Sequence, residues 1–353
     1  MKQNLMLLFL MTLINSCSND NTIVTPKIEN NAFAIYFLKD TTLTMKNIFN
    51  TDLKDLVLAD DPWLSQDDID FYDWSSHCIY LKKDKSFLFP NYQFYYLFPK
   101  SWMDLPYIVT VNNKRCYIGY FSTQSSTSEY PLLPYIDMLD VGLYPADILH
   151  SNWIFLYVKD TRDNKDVKEN LIEIGLLHRG LSVELGDSLW LKNSDTATIK
   201  YKLKITNNDK DNLLFLDPYK TGTELFHYYN NGPEFMNKAT KRTYISKYKT
   251  IKGPANNTGW KPEWFTIIEA GRTIERNIEL KGYPRFPEGE YVFQLKFNCP
   301  IAIAKEERTV GKNRYWIGDT FTEMRELSFN DNKNKLLENR INPNVDWETL
   351  IKK

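Results

Sequence analysis

The sequence predicts a mainly β protein, an α+β amino-terminal part followed by an antiparallel β-sandwich, on three observations. Phe, Trp and Tyr make up 14% of the 353 residues, a composition that favours strands. Apolar and polar residues alternate with period two over several runs, most regularly from Ala197 to Thr206. Upstream of residue 180 short strands mix with helical stretches, while long alternating strands dominate downstream. The expected organisation is therefore 1–16 as a signal, 17–31 as a tether, 32–180 as an α+β domain, 181–300 as a sandwich and 301–353 as a carboxy-terminal extension.

At the amino terminus, Lys2 precedes the apolar run Leu5-Met6-Leu7-Leu8-Phe9-Leu10-Met11 and then Thr12-Leu13-Ile14-Asn15-Ser16, the three zones of an export signal. The run is about half the roughly 20 residues a spanning helix needs, so a cleaved signal is expected. Ile14-Asn15-Ser16-Cys17 resembles the lipobox of bacterial lipoproteins: an aliphatic residue, a small residue, then cysteine. That resemblance implies cleavage before Cys17, acyl chains on its thiol and amino terminus, and attachment to a membrane without a spanning helix. Ser18 at the second mature position is compatible, by the same resemblance, with the outer membrane of a diderm envelope. An ordinary secretory signal that happens to precede a cysteine is the alternative.

In the body, Phe33 to Leu38 reads as a buried strand and Thr44 to Phe49 as a short helical turn. Ser65-Gln66-Asp67-Asp68 has the form of a capping box, with about two turns of helix expected after it. Tyr107 to Val111 and Lys114 to Tyr120 flank Asn112-Asn113, the signature of a tight hairpin. Lys165 to Leu177 places Val167, Leu171 and Ile174 on one face of an amphipathic helix that ends near Gly175 or Gly180. Downstream come Leu181 to Leu185, the alternating strand Ala197 to Thr206, a turn at Asn207 to Lys210 and a returning strand at Leu213 to Leu216. Trp264 to Ile268, the turn Glu269-Ala270-Gly271 and Thr273 to Leu280 give a further strand pair, and Tyr291 to Phe297 a closing strand. Arg314 to Ile317 reads as a strand and Leu327 to Lys353 as a polar tail with short helical pieces.

Tyr201 to Asn207, the Ala270-Gly271 turn and Gly289-Glu290-Tyr291-Val292-Phe293 resemble bacterial immunoglobulin-like sandwich domains, in a pattern similar to the sandwich preceding the catalytic domain of some deuterolysin-like metallopeptidases. The resemblance covers roughly 182–300 and implies an immunoglobulin-like antiparallel β-sandwich. Segments of the first half, among them Leu58 to Ile69, Tyr72 to His77 and Tyr117 to Phe121, resemble uncharacterised bacterial lipoproteins and imply no activity.

Removing the first sixteen residues takes only Lys2 from 44 basic side chains set against 45 acidic ones. A nearly neutral chain supplies no field for phosphates, so nucleic acid is not an expected partner. Three cysteines remain beyond Cys17. If a pair forms, Cys78 with Cys116 is favoured, both lying in strand-like runs of one half; three unpaired thiols are the alternative.

The four histidines, His77, His150, His178 and His227, show no paired helical spacing, so no metallopeptidase zinc site, no metal and no cofactor are expected. Asp60, Asp61, Asp67, Asp68, Asp70 and Asp73 fall within fourteen residues, and Asp67, Asp68, Asp70 and Asp73 are the candidate cation ligands. A solvated, partly capping acidic face is the blander reading of the same run. Ser75-Ser76-His77-Cys78 is read as a strand whose neighbours face opposite ways, with His77 buried and structural. Trp63, Trp74, Trp102 and Trp153, with tyrosines around Tyr92 to Tyr96, suit either core packing or a carbohydrate or peptide groove, and packing is the reading preferred. The function expected is a non-enzymatic, membrane-tethered envelope lipoprotein that binds or assembles with an envelope protein or glycan. Its rival is an envelope hydrolase working through Asp67, Asp70 or Asp73.

Overall fold

The computed structural model describes residues 32–84, 87–88, 103–122, 133–137, 147–153, 160–193, 195–222, 232–247, 261–299, 309–310, 312–322 and 324–329. Cys17, Trp102 and the tyrosines around 92–96 lie outside these residues. The fold is mainly β, built from several sheets.

The first half comprises β1 (Phe33–Phe37), α1 (Met45–Ile48), β2 (Leu64–Ser65), β3 (Ile69–Asp73), β4 (Cys78–Leu81), β5 (Pro106–Val111), β6 (Lys114–Ser122), β7 (Tyr135–Asp137), β8 (Ile148–Asn152), α2 (Lys165–Glu173) and β9 (Leu177–His178). Its strands make one nine-stranded sheet in the order β2-β1-β5-β6-β7-β8-β4-β3-β9. The β5–β6 hairpin turns at Asn112 and Asn113, both at positive φ (48° and 63°), the conformation in which a two-residue turn matches the twist of its strands. Asn164 caps α2, its side chain accepting from the Asp166 and Val167 amides, and Gly175 at φ 75° ends it. Val167 and Leu171, fully buried, pack α2 onto Tyr107, Val109 and Phe121 of the sheet. Each buried aliphatic side chain there contributes about 1.5–3 kcal/mol. On the opposite face Ile108, Tyr120 and Tyr135 pack on Met45 and Ile48 of α1, as strand alternation requires.

The capping box at Ser65 is formed, with Asp68 accepting from the Ser65 amide and hydroxyl, both at 3.1 Å. The two helical turns expected after it do not follow: Gln66–Asp68 is a single 3-10 turn that runs into β3. Ile69, Phe71 and Tyr72 find ladder partners on β4 and β9, and sheet pairing overrides the local start signal.

The second half comprises β10 (Leu181–Lys192), β11 (Thr196–Asn207), β12 (Leu213–Leu216), α3 (Pro218–Thr221), β13 (Pro233–Asn237), β14 (Thr243–Tyr244), β15 (Phe265–Ile268), β16 (Thr273–Pro284), β17 (Gly289–Cys299), β18 (Thr309–Val310), β19 (Asn313–Tyr315), β20 (Gly318–Phe321) and β21 (Arg325–Phe329). One sheet is β10-β11-β16, a second β15-β12-β19-β18 and a third β14-β13-β17-β20, with β21 also on β17. Along β11 the predicted alternation is complete: Ala197, Ile199, Tyr201, Leu203 and Ile205 are buried, and Lys200 and Lys204 face solvent. The strand at Leu213–Leu216 does not return along β11. It pairs with β15 and β19, crossing to a second sheet so that its four apolar residues are all buried. Leu327 likewise belongs to a strand and not to a polar tail: β21 pairs with β17 and buries Leu327 and Phe329 in the core.

The described residues belong to one compact unit. Two larger cores lie on either side of the change of style near residue 180, and β4 and β8 serve both. Ile79, Leu81 and Leu149 face the first core; Cys78, Tyr80 and Ile148 face the second. Alternation along two strands therefore joins the halves.

Candidate functional site

Where the halves meet, β3 ends in Asp73 and a turn, 74–77, leads to β4. Asp73 is fully buried. Its Oδ1 accepts from the Ser75 hydroxyl at 2.7 Å and amide at 3.1 Å, and its Oδ2 accepts from Arg314 Nη1 at 3.0 Å. Ser75 Oγ in turn accepts from the Leu181 amide at 3.0 Å and Trp316 Nε1 at 2.8 Å. This approach requires glycine at position 180: a Cβ there would lie 2.0 Å from Ser75 Oγ and 2.3 Å from Asp73 Oδ1. Gly180 has φ 64° as well, so both space and backbone exclude a side chain.

Arg314 Nη2 reaches a second buried carboxylate, Asp209 Oδ2, at 2.7 Å. The guanidinium stands 4.9 Å from the Phe71 ring centroid and 5.5 Å from that of Tyr80, which stack on each other at 4.1 Å. Asp209 Oδ1 lies 3.0 Å from His178 Nδ1, and Asp211 Oδ2 lies 3.6 Å from the same nitrogen. The His178 ring is seated on Phe71, centroids 4.3 Å apart. Burial works against the Asp209 charge, but the His178 hydrogen bond, the charges of Arg314 and His178 and the Lys210 amide outweigh it and hold its pKa down to about 2. Burial likewise opposes the Arg314 charge, and Asp73, Tyr80 and Asp209 more than compensate.

The turn carrying Asp209 and Asp211 is fixed by buried Asn207. Its Nδ2 donates to the carbonyls of Asp211 (2.8 Å) and Ile268 (2.9 Å), and its Oδ1 accepts from the Asp209 amide at 2.9 Å. The Asn208 amide donates to the Gly180 carbonyl at 2.9 Å, pinning the turn to the end of β9. The carboxylates are thus held by backbone that cannot swing away without breaking buried hydrogen bonds.

A second buried cluster lies beside the first. Asp319 pairs with Lys296 Nζ at 2.7 Å and faces His150 Nε2 at 3.8 Å. Burial, the largest effect, pushes the His150 pKa down to about 4; Asp319 works against this, and Arg162, Lys296 and His77 with it. Arg162, also buried, donates its Nε to both Asp160 oxygens (3.0 and 2.9 Å) and its Nη1 to the Ser151 carbonyl. Tyr72 OH and His77 Nδ1 are 2.9 Å apart. A single short segment supplies both clusters: Arg314 and Trp316 enter the first, Asp319 the second. Between them Gly318, φ 98°, passes Ser76 and Cys78 so closely that a Cβ would meet Ser76 Cβ at 2.8 Å and Cys78 Sγ at 2.9 Å.

No family model, curated protein or solved structure matches the chain.

The four aspartates singled out as candidate cation ligands do not converge. Asp67 and Asp70 are exposed, Asp68 is engaged by Ser65, and Asp73 faces inward to Arg314. Among the described residues the group whose ligand atoms lie within 4.8 Å of one another is His178, Asp209 and Asp211. Nothing local marked these three. His178 sits on β9 and the carboxylates follow about thirty residues later; of the pair, only Asp209 falls inside the predicted turn Asn207 to Lys210.

Cys78, Cys116 and Cys299 are all free, so the Cys78–Cys116 pairing is not made. The strands that carry them, β4 and β6, are separated by β7 and β8, hence by about 14 Å at some 4.8 Å per strand, beyond disulfide reach. Burial pushes the thiols of Cys78 and Cys299 well up, and that of the half-buried Cys116 to about 11.

His77 is buried as expected, but in the turn and not on a strand, at φ 51°. Trp153 is fully buried, and Trp63, half-buried, packs edge-on to Phe121 against the first core.

Proposed function

We propose that the protein is a lipid-anchored binding or assembly component of a diderm cell envelope, held in the outer membrane by acyl chains on Cys17, and that it is not a hydrolase. The observation carrying the anchor is the run Ile14-Asn15-Ser16-Cys17 directly after a short apolar segment, with a polar stretch separating Cys17 from the first buried strand at Phe33. Among the described residues no helix is long and apolar enough to cross a membrane, and an acyl anchor needs none.

The fate of the candidate carboxylates supports binding over hydrolysis. Glycoside cleavage needs two carboxyl groups facing one cleft about 5–10 Å apart. Asp73 is instead committed to Arg314, and Asp67 and Asp70 stand on the outer surface. The buried charges hold the halves together and leave the exterior to a partner, an envelope protein or glycan. We read the second half as an immunoglobulin-like sandwich, a frame suited to such a role; crossing of β12 to a different sheet from β11 favours it.

Intact mass of the membrane-extracted protein tests the anchor. The expected species begins at Cys17 and is heavier by two or three acyl chains, with both features lost in Cys17→Ala. An unacylated species in the soluble fraction for both proteins would overturn the proposal.

A further inference from the structure

We propose that His178 Nδ1, Asp209 Oδ1 and Asp211 Oδ2 form a binding site for a divalent transition-metal ion of the zinc class, independently of the anchoring at Cys17. The three donor atoms converge within 4.8 Å. The nitrogen lies 3.0 Å from one carboxylate oxygen and 3.6 Å from the other. Bonds of 2.0–2.1 Å in a tetrahedron place neighbouring ligand atoms about 3.3–3.4 Å apart, between those two values. One imidazole nitrogen with two carboxylates suits zinc and its neighbours better than calcium or magnesium, which prefer an all-oxygen shell.

The surroundings are those a metal centre needs. Asp209 Oδ1 accepts from the Lys210 amide at 2.7 Å, and its Oδ2, 3.2 Å from His178 Nδ1, accepts from Arg314 Nη2 at 2.7 Å; Arg314 is itself held by Asp73 at 3.0 Å, so the carboxylate is oriented from outside the ligand set. Phe71 packs against the His178 ring, and Asn207 fixes the turn that carries both aspartates. Charge is balanced too. Asp73, Asp209 and Asp211 carry three negative charges against one on Arg314, and a dication neutralises the remainder. The Asp211 side chain is 45% exposed, which gives an ion a route in and leaves a position for water as fourth ligand.

The experiment uses the full-length protein stripped with chelator and titrated with Co²⁺, read by visible absorption, then with Zn²⁺ in competition. Asp211→Asn is the informative variant because its carboxylate contacts His178 at the surface of the cluster and supports no strand. The expected result is one equivalent of Co²⁺ with no thiolate charge-transfer band, displaced by Zn²⁺. In Asp211→Asn binding should fall at least tenfold, with a Tm in chelator equal to that of the unaltered protein. Failure of the unaltered protein to take up one equivalent, a thiolate band, or equal binding by Asp211→Asn would each overturn the site. Asp67→Asn, in the acidic run, should bind as the unaltered protein does; a matching loss there would locate the ion elsewhere and overturn it too.

Discussion

Arg314 Nη1 lies 3.0 Å from Asp73 Oδ2 although 241 positions separate them in the chain, and both side chains are buried. One guanidinium thereby ties the end of β3 in the first half to β19 of the second, and through Asp209 to the β11–β12 turn.

Removing that charge takes the shared cation from two buried carboxylates. Arg314→Leu should therefore lower stability by about 3–5 kcal/mol, and adding Asp73→Asn should recover part of the loss instead of deepening it. Urea unfolding of the two single variants and the double variant measures the coupling. Additive losses would mean that the pair is not an energetic unit.

Two glycines with similar backbone angles should respond differently to alanine. At Gly175, φ 75°, nothing lies within 4 Å of the added Cβ, so only the left-handed conformation counts, about 1–2 kcal/mol. At Gly180 the clash with Ser75 and Asp73 adds overpacking of about 1–3 kcal/mol. Thermal unfolding of Gly175→Ala and Gly180→Ala should rank them in that order, and a Gly180→Ala as mild as Gly175→Ala would contradict the packing described.

Stability should decline on acidification through the range set by His150. Its folded pKa of about 4 lies below the unfolded value near 6.5, so the unfolded chain binds the proton first. The contribution is complete above about 6.5 and is lost as pH falls towards 4, with a slope of up to about 1.4 kcal/mol per pH unit. His150→Gln should flatten the pH dependence of urea unfolding over that window. A slope equal to that of the unaltered protein would assign the titration to other groups.

Thiol reagents should distinguish the cysteines by burial. Cys116 is half-buried and should react first in the native protein, while Cys78 and Cys299 should wait for unfolding. Mass mapping after brief alkylation reads the order directly, and early labelling of Cys78 would show that the β4 face is open to solvent.

Much of the secondary structure was legible from local pattern. The alternation of Ala197 to Thr206, the Asn112-Asn113 hairpin and the helix between Asn164 and Gly175 all appear where residue periodicity and turn chemistry put them. Each is decided within one element, by which face must avoid water and which residues tolerate positive φ. Partner choice is not decided there. A period-two strand specifies its buried face but not its ladder neighbour, so Leu213–Leu216 was free to cross sheets, and the Ser65 capping box yielded to the pairing of β3 with β4. The clusters were beyond local reading for the same reason. Asp73, Asp209 and Arg314 come from three distant segments, and each alone reads as a solvated charge. Only when the end of β3, the β11–β12 turn and β19 are packed together do these charges lose their water, and burial then makes each the necessary partner of the others.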